Sequence, residues 1–292
     1  MSSVLYDAPG PRARRRTLVA TVVALAVVAV LVVLAVRRLA ANDQFDPDKW
    51  GPLFNPGHRY FVATWSALGG GLANTVAAAA LTVVFALVIG TVLAVLRITS
   101  SRAWRWAVVG LIELLRGLPV IITIYFASRV LPELGITLPP LWDLVVGLTA
   151  YNCVIIAEIL RAGVSSLPRG QREAALAVGL TPGATMRLVL LPQAVRVMLP
   201  ALISQVVVIL KDTSLAAVLG IYIELLRQGN LISLTLDNPI QMLTVVGLIF
   251  ILLNYLLSKA ATLLERRLSR SSTRGDDTAT EASAPLATTI QA

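Results

Sequence analysis

Lys211, Asp212, Thr213 and Ser214 follow one apolar run, "LISQVVVIL", and precede another, "LAAVLG". Two further charge pairs lie in or beside apolar stretches at a spacing of three residues, Glu113 with Arg116 and Glu158 with Arg161. Residues three apart share a helix face, so each pair can form an ion pair. A charge at mid-membrane costs about 2.5–3.5 kcal/mol even on the lenient insertion scale, so such groups need partners or a wet cavity. Lys211 and Asp212 are adjacent, point in different directions and cannot both face lipid cheaply. Arg116, Lys211, Asp212, Thr213 and Ser214 are therefore expected to line or brace a polar path, with Glu113 paired to Arg116. The competing reading is that these groups only lock helices together. Glu158 and Arg161 fall near a span end, within reach of water, and read as mostly structural.

The elements that must hold these groups are apolar helices. Of 292 residues 57% are hydrophobic and only 14% charged, against roughly 25% charged in an ordinary soluble domain. About 20 helical residues cross a hydrocarbon layer of about 30 Å. Runs of that length predict six spans, near residues 17–36, 72–96, 107–131, 141–160, 197–219 and 240–264. The fold class is thus an all-α polytopic membrane protein. The first run, bounded by Arg16 and by Arg37 and Arg38, reads as an uncleaved anchor rather than a signal peptide. Residues 37–64 read as a polar external loop, the stretch after residue 219 as another, and the Ser/Thr-rich tail from Ser269 as disordered.

Charge placement orients the chain and excludes one class of partner. Six spans put both ends on one side. Seventeen of the 25 Lys and Arg residues lie on that side and six on the other, with Arg116 and Lys211 inside spans. The positive-inside bias places both termini in the cytoplasm. The net charge of +9 follows span ends and forms no basic stripe with interleaved aromatics, so nucleic acid is not expected as a partner. The single cysteine, Cys153, allows no internal disulfide, and His58 has no second ligand nearby for a metal.

Between the fourth and fifth spans, on the cytoplasmic side, runs "GQREAALAVGLTPGATMRLVLLPQA", residues 170–194. Ser165 or Ser166 offers a helix start and Gly179 a left-handed stop. Thr181 and Pro182 form an N-cap and first helical position for a restart, with Pro192 as its expected end. The result is two short helices joined by a sharp bend. Ala174, Ala175 and Ala177 keep the first slim, and Glu173 stands among arginines. Local physics fits either docking of another protein or an amphipathic helix lying on lipid.

"EAALAVG", nine residues, then "VLLP" resembles the EAA loop of bacterial ABC importer permeases. Glu173, Ala174, Ala175, Gly179, Leu191 and Pro192 match, with Val189 where the family often has isoleucine. "IELLRGLPVI", "AEILRAGV", "LPQAVRVMLPAL" and "LKDTSLAAVLG" are similar to the permeases for polar amino acids. The resemblance implies a type I permease core over residues 65–265. Residues 1–64 would add an anchor and external loop, and 266–292 a cytoplasmic tail. It implies that the loop is a coupling helix gripped by a cytoplasmic ABC ATPase dimer. The other implied partners are a second permease chain and an extracytoplasmic amino-acid-binding protein, all at the bacterial cytoplasmic membrane. ATP and magnesium would be used by that ATPase. A free amino acid carries a carboxylate and an ammonium, which the in-span charges can match. "AYNCVIIAEILRAG" resembles actinobacterial glutamate permeases, with Ile155 where the family often has tyrosine and Tyr151 and Asn152 one turn earlier.

No "GxxxxGK[ST]" phosphate loop occurs in the sequence, so no catalytic residue and no nucleotide, cofactor or metal site is expected in this chain. A secondary transporter or channel is the alternative. It calls for coupling-ion carboxylates or an inverted repeat between the halves, and no convincing repeat is visible.

Overall fold

A computed structural model describes residues 10–281, and every regular element among them is helical. Helix α1 (Pro11–Ala40) is apolar along its length and buries none of its residues against the rest of the chain. Helix α2 (Pro47–Phe54) lies in the stretch expected to be loop. Asp46 caps it through Asp48 N–H, and Pro47 fits its first turn, so local capping suffices to form it. Three side chains then fasten this stretch to the core: buried Asn238 donates to Lys49 O at 3.0 Å, buried Gln241 to Gln44 O at 2.5 Å and Trp65 to Leu53 O at 3.0 Å. His58 packs its ring where a Cβ on Gly51 would stand, 2.8 Å from Cδ2.

The core is a helix pair, α3 (Phe61–Thr99) against α6 (Pro140–Ser166), with the later helices laid around it. Small residues set the approach. A Cβ on Gly90 would stand 2.6 Å from Cys153 O, so the α3 and α6 backbones touch there. Ala86, Leu93 and Ala94 meet Cys153, Ile156, Ala157 and Leu160 in one buried cluster. In lipid, where apolar contact alone gives no drive, such close packing is what holds helices together.

The third expected span is broken. Helix α4 (Arg102–Gly117) and helix α5 (Val120–Glu133) meet at a bend of 102°. Pro119 has no N–H to donate and disfavours helical geometry at the residue before it; Leu118 is extended, with ψ 138°. Elsewhere proline does not break the helix. In α5 and in α8 (Pro182–Leu219) a π turn stands directly before a Leu-Pro pair, over Phe126–Val130 and Met186–Leu190. Leu131 N–H donates to Phe126 O and Leu191 N–H to Met186 O. The inserted residue carries the chain past the position where the proline ring would strike the preceding turn. Pro192 therefore does not end the restart, which runs on into the fifth span.

Three more expectations change. Ser165 and Ser166 belong to the end of α6, their hydroxyls bonded back to Arg161 O and Gly163 O, and the next helix starts at Arg169. The loop after residue 219 contains helix α9 (Leu225–Leu236), capped by Glu224. Helix α10 (Pro239–Glu281) continues past Ser269, because adding a residue to an existing helix costs far less than starting one. Residues 1–9 and 282–292, and with them the ends of the expected first and last regions, lie outside the described residues.

Candidate functional site

Helix α7 (Arg169–Ala177) is the first half of the bent pair. Leu167 and Pro168 are extended and turn the chain out of α6. Gly179 stops α7 with φ +87°, a left-handed conformation that glycine takes without a side-chain clash. Gly179 N–H donates to Leu176 O at 3.0 Å and Leu180 N–H to Ala175 O at 3.2 Å, the two reversed bonds of a Schellman end. The restart follows at once. Thr181 Oγ1 accepts from Ala184 N–H at 3.2 Å, with Pro182 at the first position. The N-cap and C-cap expected at Thr181 and Gly179 are both present.

Packing divides the residues of the loop motif by face. Ala175 is buried against the restart, whereas Glu173, Ala174 and Ala177 face outward. Only part of the slim alanine face is thus open to another protein. Glu173 makes no ion pair among the described residues. Leu176 and Val178 are exposed, giving the bend an uncovered apolar tip. Pro192 is exposed and Leu191 half-buried on the first turns of α8, where Gln193 donates to Gln171 Oε1 at 3.3 Å and ties the two halves. The arrangement is an exposed, projecting elbow joined to one long membrane helix at each end.

The in-span charges separate into two groups. Arg116 Nη2 donates to Glu113 Oε2 at 2.6 Å, the expected pair, with both side chains 47% exposed to whatever lies outside this chain. Lys211 is exposed and has no ion pair among the described residues, while Asp212 and Ser214 are half-buried. Thr213 is fully buried and donates to Leu210 O at 2.7 Å, so it braces the turn inside α8 between Asp212 and Leu215. Arg116, paired with Glu113, and Lys211 thus lie on surfaces this chain leaves uncovered.

Two arrangements escape a reading of spacing alone. Glu158 holds both Arg161, at 2.9 Å, and Arg97 from the end of α3. Arg97 and Glu158 are 19% and 18% exposed, so this triad bolts α3 to α6 near their shared end. The second is Gln205 Nε2 donating to Asn152 Oδ1 at 2.7 Å, between α8 and α6, with Asn152 fully buried. An uncharged amide inside "LISQVVVIL" was the available signal, since buried amides in lipid need each other. On the opposite side of the molecule α2, the start of α3 and α9 enclose an open cleft of about 830 Å³, with Asp48, His58, Arg59 and Asp237 in its lining.

Comparison with known proteins agrees with this geometry. Residues 86–270 match the family described as binding-protein-dependent transport system inner membrane component. The chain is 42% identical over 236 residues to the glutamate transport system permease protein GluD of Corynebacterium glutamicum, covering 79% of this chain and 83% of that one. It is 33% identical to the probable glutamine ABC transporter permease protein GlnP of Bacillus subtilis, over 68% and 91% of the two chains. Among solved structures, an amino acid ABC transporter crystallised with histidines superposes with a TM-score of 0.65 at 28% identity, over 71% of this chain and 96% of that one.

Proposed function

The chain belongs to the family of binding-protein-dependent transport system inner membrane components, the membrane permeases of ABC importers, and from that premise we propose that it carries an acidic amino acid, glutamate, inward. The observation that carries the mechanism is the projecting elbow of α7 and α8, turned at Gly179 and rooted in two membrane helices. A cytoplasmic ATPase dimer grips this elbow at Glu173, Ala174 and the uncovered tip, and ATP-driven closure of that dimer rocks α6 and α8 together. ATP and magnesium are bound by the ATPase. Both termini are cytoplasmic in this reading, which the 17-to-six distribution of basic residues supports.

A second permease chain completes the translocation path. Lys211 and the Glu113–Arg116 pair face surfaces that this chain does not cover, and an uncompensated cation at that depth needs a counter-charge or water. Asp212 and Ser214 stand beside Lys211 at the edge of that path, and Thr213 braces it from behind. Arg116 and Lys211 offer two cations to a substrate with two carboxylates, and Glu113 and Asp212 offer anions to its ammonium. An extracytoplasmic amino-acid-binding protein delivers the substrate to the outer face, where the cleft between α2 and α9 opens.

The test is purification of the tagged chain from its own membranes in mild detergent, wild type beside Glu173→Arg, with identification of co-purifying proteins. An ATPase subunit present with the wild type and lost with the variant is the expected result. No ATPase in either sample, with the chain intact, would turn the reading toward a self-sufficient transporter. Glutamate uptake by Arg116→Ala and Lys211→Ala tests the path, and unchanged affinity and rate in both would remove these residues from it.

A further inference from the structure

A cavity of about 470 Å³ opens beside the start of α7, bounded by the α3–α4 turn and the first turns of α8. Its charged lining consists of Arg105, Arg169 and Arg172, with no carboxylate among the lining residues. Thr185 also lines it. That side chain is 1% exposed, and its Oγ1 has no hydrogen-bond partner among the described residues. A buried hydroxyl left unmatched beside three guanidinium groups is a donor aimed at a missing acceptor.

The start of α7 makes this concentration of positive charge costly. Pro168 is the N-cap and supplies no side-chain acceptor, and the first turn contains no acid. A helix start carries about half a positive charge, so Arg169 and Arg172 stand where the macrodipole repels them. Arg105 is held in place by one donation, Nη2 to Ser100 O at 3.1 Å, with its other donors left for a ligand. One anion would relieve the helix start, the three arginines and Thr185 together.

We propose that this cavity binds a phosphate group, and that the headgroup of an anionic lipid supplies it. Trp104 and Trp106 flank Arg105 and are 71% and 69% exposed. Exposed indoles at a span end belong to the membrane–water interface, which puts Arg105 at headgroup depth. Basic pockets at that depth between helix ends take anionic headgroups. A phosphate shared by Arg105 on α4 and by Arg169 and Arg172 on α7 ties the elbow to the neighbouring helix. The elbow's stiffness, and hence its transmission of movement, then depends on anionic lipid.

Binding is a property of this chain alone, so its test is separate from that of the importer reading. The full-length chain in mild detergent is titrated with phosphatidylglycerol, with phosphatidylcholine and with inorganic phosphate, and retained ligand is read by native mass spectrometry. Phosphatidylglycerol is expected to be retained over phosphatidylcholine. Thr185→Val should weaken it about ten-fold, and Arg169→Gln with Arg172→Gln about a hundred-fold, from the loss of charge-assisted hydrogen bonds. Arg169→Lys with Arg172→Lys should keep most of the binding, which separates charge loss from misfolding. Arg15→Gln with Arg16→Gln, on α1, should change nothing. Retention of inorganic phosphate without preference between the lipids would keep the phosphate site and assign it a soluble source. Equal retention by all variants, or equal loss in the α1 control, would overturn the proposal. Unchanged lipid retention with loss of a co-purifying ATPase would overturn it too and give the arginines to the protein partner.

Discussion

Gly179→Ala isolates the bend between α7 and α8 from every other contact. A Cβ at this position meets no atom within 4 Å, so the substitution introduces no clash with another element. Its whole effect comes from φ +87°, a region that costs an L-residue about 1–2 kcal/mol. At 1.36 kcal/mol per decade that is roughly a 5- to 30-fold fall in the ratio of native to non-native elbow, and at most that much in apparent affinity. Gly179→Asn should lose less, because asparagine tolerates this conformation better. Gly183→Ala is the control: it also has open space, its φ is not positive, and it lies within a helix, so it should be neutral or slightly stabilising. The assay is the concentration of purified ATPase needed to saturate the permease, measured beside thermal unfolding of the permease alone. The expected order is Gly183→Ala with the wild type, then Gly179→Asn, then Gly179→Ala, weaker by up to about 5- to 30-fold. Equal saturation by Gly179→Ala and wild type would refute the idea that the left-handed turn sets the docking geometry. Gly179→Asn falling below Gly179→Ala would refute the backbone account of it.

Glu158→Gln leaves Arg97 and Arg161 facing each other without their shared carboxylate; removal of one partner from a buried pair costs about 3–5 kcal/mol, and the loss here should fall at the low end because Arg161 is 38% exposed. Thermal unfolding unchanged within error would show the triad to be energetically idle. Gly147→Ala drives a Cβ to 2.4 Å from Ile124 Cα and 2.8 Å from its backbone nitrogen, so α5 must move as a body, at about 1–3 kcal/mol or more in stability, with substrate uptake falling alongside; a variant as stable as wild type would mean that α5 is not seated on α6. Glu224 is fully buried and accepts from Leu226 and Arg227 N–H, each at 2.8 Å; burial raises its pKa above the ordinary 4.5, and the backbone donors only partly oppose this. The folded state therefore holds the proton more tightly, and stability should fall as pH rises from about 4.5 through the raised value, then level off. Glu224→Gln should remove that slope from a series of unfolding temperatures while costing one backbone acceptor, and parallel slopes for the two proteins would discard Glu224 as its source.

Much of the site was legible in one dimension because its causes are local. Gly179 before Leu-Thr-Pro specifies a left-handed stop and a capped restart through interactions spanning five residues, and both stand where the sequence puts them. The Glu113–Arg116 pair likewise needs only a helix. Apolar length gave the rough limits of five membrane helices, since a hydrocarbon layer imposes one length on all of them, and the sixth expected span is the pair bent by 102°. Proline was harder to read. Pro119 breaks its helix whereas Pro132 and Pro192 follow π turns, and whether the backbone breaks or absorbs the extra residue depends on what packs beside it. Partners far apart in sequence belonged wholly to the tertiary structure. Arg97 finds Glu158 and Gln205 finds Asn152 across 61 and 53 positions, and Asn238 and Gln241 fasten α2 from the other end of the chain. No periodicity encodes these meetings. They follow from close helix approach at positions such as Gly90 and Gly147, where the lack of a Cβ lets backbones touch. The sequence determined which residues could not remain alone in lipid, and packing decided which of them met.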